Sequence, residues 1–502
     1  MPRPALAGLL LAISVVASGD LAAQCPDGSP PPCKPVRRAI VVPAPNSIAV
    51  LYFDNLTRDS AYAYLADGLT EDLITLLGRV SRLDVKSRYE SARVRGERGL
   101  APSDIGRELH VAYFVDGSVQ PGNGRIRVNA ELIEARSGRR VWGEGLTASG
   151  TDPLAVQESI TTAVVQAVVG QLLPDERAVL ARRATRDSAA YDLYLRGQFH
   201  FSRHTDADLR LALDLYRQAI ARDSSFALAW AGIAQAWVYL PDLSVQPLEA
   251  FPHVREAAER ALALDSSVAL AYAALAWAAT QVDFDFDRGE QLARRAVALD
   301  PRLSEARAVL GVVLRLRSKP AEALEEWRRV WELDSLSVPR AWDYFDQLIL
   351  LGRSSEVLTS ARRAPQILAE PAEDAIVWAL LQLHRCAEAQ AQLGNSAHHM
   401  FRYEGIAAVC VADRDSGRAA TDSLKAQSYR SSAATQIAQV FAARGELDSS
   451  FTWLQRAYER RDYQLLFINQ RAWWLGALQA DRRFSVLMRR IGLPWPAPQL
   501  PN

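Results

Sequence analysis

Asp67 and Glu71 stand four residues apart in a stretch whose leucines, Leu65, Leu69, Leu73, Leu76 and Leu77, recur at helical spacing, so both carboxyls fall on one helix face. Two carboxyls placed that way can divide acid and base work on a substrate held between them. The plainer reading is a solvated carboxylate face, and it is the preferred one. Asp283-Phe284-Asp285-Phe286-Asp287 alternates carboxyls as a cation-binding loop does, but has neither the central glycine nor the distal glutamate of an EF-hand. It reads as a solvated loop between helices. Cys386 and Cys410 lie near His384, His398 and His399, yet without the close ligand pairing of a C-x2-C site, so no metal is expected. The sequence has no G-x-S-x-G elbow, no H-E-x-x-H, no G-x-x-x-x-G-K phosphate loop and no G-x-G-x-x-G after a strand. It therefore assigns no catalytic residue, no metal site and no cofactor.

The elements that carry these residues are clearest at Ser304–Ser337, which reads as a helix–turn–helix unit. Leu310, Gly311 and Leu314 put large, small and large residues on one face of a first helix, and Ala323, Trp327 and Val330 do the same on a second. Ser304 reads as an N-cap, and Ser318-Lys319-Pro320 breaks the chain where the second helix begins. Similar units recur upstream, around Gly197 with Ala212-Tyr216-Ala219, Ile233-Ala234-Trp237 with Ala258-Ala261, and Leu275-Ala276-Ala279 with Ala293-Ala296. Another follows downstream at Ile437-Ala438-Phe441 with Ser450-Leu454-Ala457. This spacing resembles the tetratricopeptide (TPR) repeat, which five units match well. The first has an insert near Arg203–Asp208, the second a longer one at Pro241–Pro252, and the third an extra residue near Asp283–Asp287. Between Val338 and Ser432 the pattern degenerates and the number of repeats cannot be counted.

The resemblance implies a concave groove lined by the first helix of each unit. Its groove positions fall on Tyr191, Tyr194, Gln198, Phe201, Gln235, Tyr239, Trp277, Gln281 and Arg315. That set is aromatic and amide-rich, and it predicts an extended or helical protein segment as the partner. The competing reading is that these side chains pack against the chain's own other elements.

Residues 47–174 have another texture. Ile48–Phe53 is a continuous apolar run suited to a strand buried on both faces. Helices are expected at Ala61–Arg79, Ser103–Leu109 and Pro153–Leu172, and strands at Arg82–Lys86, Ala112–Val119, Arg125–Ala135 and Val141-Trp142. The order is β-α-β-α-β-β-β-α: an α/β N-terminal domain followed by an all-α TPR solenoid. The strings NSIAVLYFDNLTRDSAYAYLADGLTEDLITLLGRVSRLDVKSR and GRELHVAYFVDGSVQPGNGRIRVNAELIEARSGRRVWGE resemble the TolB amino-terminal-like (FlgO-like) domain. That resemblance implies an interaction domain without established catalysis, followed by repeats at 187–494 after a connecting segment at 175–186. A tail at 495–502 ends the chain.

Residues 1–23, with one arginine, an apolar run from Ala5 to Ala17 and Ala22-Ala23, read as a signal peptide cleaved before Gln24. The alternative is an uncleaved inner-membrane anchor, the one route by which a membrane would be a partner. Gln24 beside Cys25 argues against lipidation. Residues 24–46 form a proline-rich linker. Export to the periplasm makes Cys25–Cys33 and Cys386–Cys410 the expected disulfides. Lys+Arg and Asp+Glu number 58 each, so no net field favours nucleic acid, and none is expected as a partner. The function read from the sequence is a non-catalytic protein–protein interaction scaffold of the bacterial cell envelope. The alternative is an unrecognised periplasmic enzyme or enzyme-linked sensor working in the α/β cleft.

Overall fold

Ile48, Ala49 and Val50 are fully buried because β1 (Ser47–Val50) runs through the middle of a sheet covered on both faces. In this computed structural model the described residues are 43–495, apart from 58–61, 96–98, 123–124, 150–152, 172, 181–183, 335–336, 365–367, 396–400, 412, 427–432 and 471. The expected signal peptide, most of the proline-rich linker, Cys25, Cys33, His398, His399 and nearly all of the tail lie outside them.

The sheet contains β1, β2 (Asp54–Asn55), β3 (Asp84–Val85), β4 (Tyr113–Gly122), β5 (Arg125–Glu134) and β6 (Arg139–Ser149). Its order is β3-β1-β4-β5-β6, with β2 pairing β4. The first four strands pair in parallel, and β4-β5-β6 form an antiparallel meander. Alternation in β5 sends Ile126, Val128, Ala130 and Leu132 into the core, beneath α1 (Ala63–Gly78) and a later helix at Pro153–Val169. The other face is closed by a smaller cluster of Ala49, Leu109, Val111, Phe114 and Ala135.

Two short elements in this region are absent from the sequence expectation. Asp54-Asn55 forms β2, pairing in parallel with β4. Ser87 and Glu90 form a reciprocal capping box that starts α2 (Arg88–Ala92), with Ser87 N donating to Glu90 Oε2 at 2.9 Å. After α3 (Pro102–Leu109) and α4 (Pro153–Val169), the stretch expected as a plain connection holds α5 (Pro174–Leu180). Glu176 on α5 takes Arg82 Nε at 2.8 Å, and its carboxyl is held down at about 2 by that hydrogen bond and by the Leu173 N–H.

The remainder is a TPR-like solenoid of eight helical hairpins among the described residues. They are α6 (Ser188–Phe201) with α7 (Asp206–Arg222), α8 (Ala227–Tyr239) with α9 (Pro247–Leu264), α10 (Ala269–Trp277) with α11 (Phe286–Leu299), and α12 (Ser304–Leu316) with α13 (Pro320–Asp334). There follow α14 (Val338–Leu350) with α15 (Ser354–Ala361), α16 (Ala369–Gln382) with α17 (Cys386–Asn395), α18 (Phe401–Cys410) with α19 (Arg414–Ala426), and α20 (Ala433–Ala443) with α21 (Leu447–Arg460). The degenerate stretch thus contains three hairpins. Two 3-10 turns, Tyr463–Phe467 and Trp473–Leu475, lead to α22 (Gly476–Ala480) and α23 (Arg482–Ile491).

Two of the best-matched hairpins close by seating a bulky second-helix residue against a small first-helix one. Trp327 fills the space at Gly311, where a Cβ would lie 2.6 Å from its Nε1. Tyr216 is likewise wedged between Gly197 and Gly232. A common turn links successive units: Asp223, Asp265 and Asp300 each accept a hydrogen bond from the N–H two residues on, at 2.9, 2.8 and 3.0 Å. Ser304 is not the N-cap expected of it. Leu303 occupies that position, while Ser304 opens the helix with its hydroxyl 3.1 Å from Glu305. The extra residue of the third unit is absorbed by a π-helical turn, Ala278–Asp283, which ends α10.

α6 packs on α1: Tyr64 Oη donates to Asp192 at 2.7 Å, Tyr191 Oη bonds Asp72, and Leu195 lies against Gly68. No local pattern in the sequence announces this joint, and it makes the α/β region a cap on the first hairpin. A fragment of residues 187–502 should therefore melt below the intact chain and bind an apolar dye. A fragment melting at the temperature of the full chain would show that the joint adds nothing.

Candidate functional site

The carboxyls with the spacing for acid and base work are engaged in ion pairs. Asp67 meets Arg95 at 2.6 Å; Glu71 meets Arg88 at 3.3 Å and accepts from Tyr52 Oη at 3.3 Å. They are a cross-linked face rather than a freely solvated one. The Asp283–Asp287 loop is also tied down, since Asp283 pairs with Arg255 and Asp287 with Arg317, Asp285 caps α11, and Phe286 is buried. Cys386 and Cys410 are 5.9 Å apart at Cα, within disulfide span. No group of three metal-ligating side chains occurs among the described residues.

The expected groove residues lie on the first helices of the hairpins, Gln281 in the π-turn that ends one of them, and several are in contact with other parts of the chain itself. Tyr191 is spent on Asp72. Tyr194 packs against Tyr216 and Phe226, and Gln198 donates to its hydroxyl at 2.9 Å. Residues 461–470 and 472–475 run as a strap over the later units. Arg461 Nε donates to Val282 O at 2.8 Å beside the π-turn, and Gln281 Nε2 donates to Arg461 O at 3.3 Å. Trp277 meets Tyr463 edge-on at 5.7 Å. Arg315 donates to Leu466 O at 3.4 Å and stacks over Phe467. Trp473 Nε1 donates to Leu381 O at 2.9 Å, and Asp462 accepts from Thr435 N at 2.9 Å. The expectation of an open groove is corrected at Tyr191, Tyr194, Gln198, Trp277, Gln281 and Arg315. Aromatic stripes at helical spacing are satisfied here from within. The apolar runs Leu465–Ile468 and Trp473–Leu475, too hydrophobic for a free tail, are the sequence signal for the strap.

Phe201 and Tyr239 are half-buried, while Gln235, one turn before Tyr239, is buried. Tyr239 contacts Phe201 and His204 edge-on, and its hydroxyl bonds Arg340, which pairs with Asp343 at 2.7 Å. Asp242, Asp343 and Asp346 all act electrostatically on Tyr463. These residues were not among the sequence candidates. Asp346 is pushed up to about 8, first by burial, against the pull of Arg402 and with Asp374 and Asp343 adding to it.

These shifts set a pH profile. Burial also raises Asp72 and Asp462 to about 7, so with Asp346 the fold holds three carboxyls that keep their protons to higher pH than unfolded carboxyls, near 3.8. Their contribution is complete below that value and is lost as pH rises through 7–8. His204, lowered to about 4 by burial, acts oppositely, giving stability that grows from pH 4 to its unfolded value of 6.5. Between pH 4 and 6.5 the losses from the carboxyls outnumber the gain from His204, so the melting temperature should be highest near pH 4 and fall toward pH 8. Asp346→Asn should flatten the alkaline limb; a melting temperature still rising at pH 8.5 would contradict the assignment.

No family model matches the chain. Over 159 residues, 31% of the chain, it is 39% identical to a protein of Rhizobium meliloti (strain 1021) named "Putative adenylate cyclase 3". The chain spans 27% of that protein's length. Among solved structures it is similar to TTC0263, a TPR protein of Thermus thermophilus, with 13% identity and a TM-score of 0.31 over 41% of this chain and 99% of that one. It is also similar to YrrB, described as a TPR protein with an unusual peptide-binding site, with 19% identity and a TM-score of 0.25 over 41% and 96%. The TPR-like character of this chain rests on its own stacked hairpins.

Proposed function

We propose that the chain is a non-catalytic protein–protein interaction scaffold of the bacterial cell envelope, with residues 47–174 as a TolB amino-terminal-like (FlgO-like) interaction domain and 187–494 as its repeat array. The observation that carries this reading is the solenoid itself. Stacked hairpins bury a core only against their neighbours and leave long faces for a partner. The Asp67–Glu71 pair, committed to Arg95 and Arg88, supports the non-catalytic side of the reading. The leader-like N-terminus supports export, and the spacing of Cys386 and Cys410 suits an oxidising compartment.

The test is photo-crosslinking of the mature protein in envelope extract, run beside hydrolase and ATP-cyclising assays. One stoichiometric protein adduct without turnover is the expected result. Turnover that disappears in Asp67→Asn or Glu71→Gln would transfer the function to the α/β cleft and overturn the scaffold.

A further inference from the structure

β6 is the outermost strand of the sheet and its longest, and it pairs with β5 alone. Among the described residues no backbone hydrogen bond leaves its other side. The opposite edge holds only β3 and β2, two residues each, which leaves little for a foreign strand to pair with. A long open edge presents a row of main-chain donors and acceptors, and folds that make no use of one blunt it with charge, proline or shortness. From Val141 to Ser149 this edge has no proline and a single charged residue, Glu144. Gly143 and Gly145 are exposed and have no side chain to screen the main chain.

The side chains along this edge match one another in a single register. β6 has one extra residue, Val141, because Leu132 pairs with Trp142 while Ile133 pairs with Arg140. Residues directly opposite in an antiparallel pair share a face. Trp142, opposite Leu132, and Glu144, opposite Ala130, are therefore on the face of the main core. Across the bulge Arg139, opposite Glu134, is on that face too, and Arg140 and Gly143 are on the other. When β6 is laid antiparallel against β6 of a second copy, only one register sets Glu144 opposite an arginine of its own face. It pairs Arg139 of each copy with Glu144 of the other and lays Arg140 across Gly143, where no side chain obstructs it. Val141 and Trp142, both half-buried in the single chain, then meet their counterparts at the centre. The pairing covers residues 139–144 of each strand, close to an average strand length. Arg139 is drawn now to Glu134 at 3.6 Å, a long and exposed pair that gives up little when the arginine turns to a new carboxylate. Glu144 has no ion-pair partner among the described residues.

We infer that the chain forms a two-fold homodimer through β6, the two sheets joined edge to edge, with Arg139 of each copy paired to Glu144 of the other. An open edge accepts any extended segment. The match of Arg139 to Glu144 within the edge itself favours a second copy, since a two-fold interface must be complementary to itself. Joined this way, one particle presents two repeat arrays.

Sedimentation velocity of the mature protein over a concentration series tests it, and a reversible monomer–dimer equilibrium is the expected result. Glu144→Arg and Arg139→Glu each set like charges opposite one another at both ends of the contact, and each should weaken the dimer by about tenfold. Combined in one chain, they restore opposite charges with the signs exchanged and should recover most of the association, which a merely damaged fold would not do. Both side chains are exposed, so the circular dichroism of every variant should match the parent. Asp415→Arg, at a side chain 98% exposed on α19, should leave the equilibrium unchanged. A monomer at every concentration, a dimer indifferent to Glu144→Arg, or a charge exchange that fails to restore association overturns the inference. So does a chain that is monomeric alone but gains hydrogen-exchange protection at residues 139–147 in envelope extract, which would give the edge to another protein.

Discussion

Trp327→Ala should lower stability by about 3–5 kcal/mol, the cost of emptying a large aromatic cavity. Trp327 has no exposed surface, and its indole is the piece that Gly311 was left small to receive. The backbones of α12 and α13 are held at a distance set by that ring, so collapse to fill the void would tilt one hairpin against the next. Gly311→Val probes the same seat from the other side, forcing a branched side chain where a single Cβ already comes to 2.6 Å. Urea denaturation of both variants measures the effect. A loss below about 1 kcal/mol in each would mean that the tryptophan is not the closing element of the unit. Trp277→Ala belongs in the same experiment. As an open-groove anchor it would be nearly neutral to folding, but in contact with Tyr463 and only 8% exposed it should behave as a core truncation.

Arg340→Met should cost about 2–4 kcal/mol, less than removal of one member of a fully dry pair because Asp343 retains some water. The arginine is 3% exposed and holds both the Asp343 carboxylate and the Tyr239 hydroxyl. Methionine keeps most of its volume, so the loss reports charge and hydrogen bonding rather than a cavity. Stripped of its cation, Asp343 faces Asp242 and Asp346 across a like-charge gap. Adding Asp343→Asn to Arg340→Met should recover part of the loss, and the double-mutant cycle gives the coupling between the two residues. Additive losses would mean that Arg340 works through packing alone.

The order of elements was legible because each rests on short-range pattern. Ile48–Phe53 shows a buried strand, Ile126–Leu132 alternates, and Leu65–Leu77 holds helical spacing. The eight hairpins were only partly countable. Between Val338 and Ser432 the small residues that receive an aromatic partner give way to other packings, such as Trp331 stacked on Tyr344 at 4.6 Å between successive units. The site was harder to read, because its parts meet over separations that no local pattern records. Tyr239 joins Arg340 across 101 residues, and Gln281 joins Arg461 across 180. Helical spacing marks the groove aromatics as a set sharing one face. It does not say what they face, since an inward stripe looks the same whether it awaits a partner or is closed by the chain's own end.

The strap has a consequence for how this protein can change in evolution. Arrays of this architecture commonly lengthen or shorten by duplication or loss of a whole unit, because each unit touches only its neighbours. Here Arg461, Leu466 and Trp473 are fastened to the third, fourth and sixth hairpins. Inserting or deleting one hairpin between them would shift every anchorage by a full pitch, and a segment of fixed length could no longer reach its sites. The repeat number is therefore locked from within. Drift is confined to substitutions and loop insertions, of which the single residue taken up by the π-turn is a preserved instance.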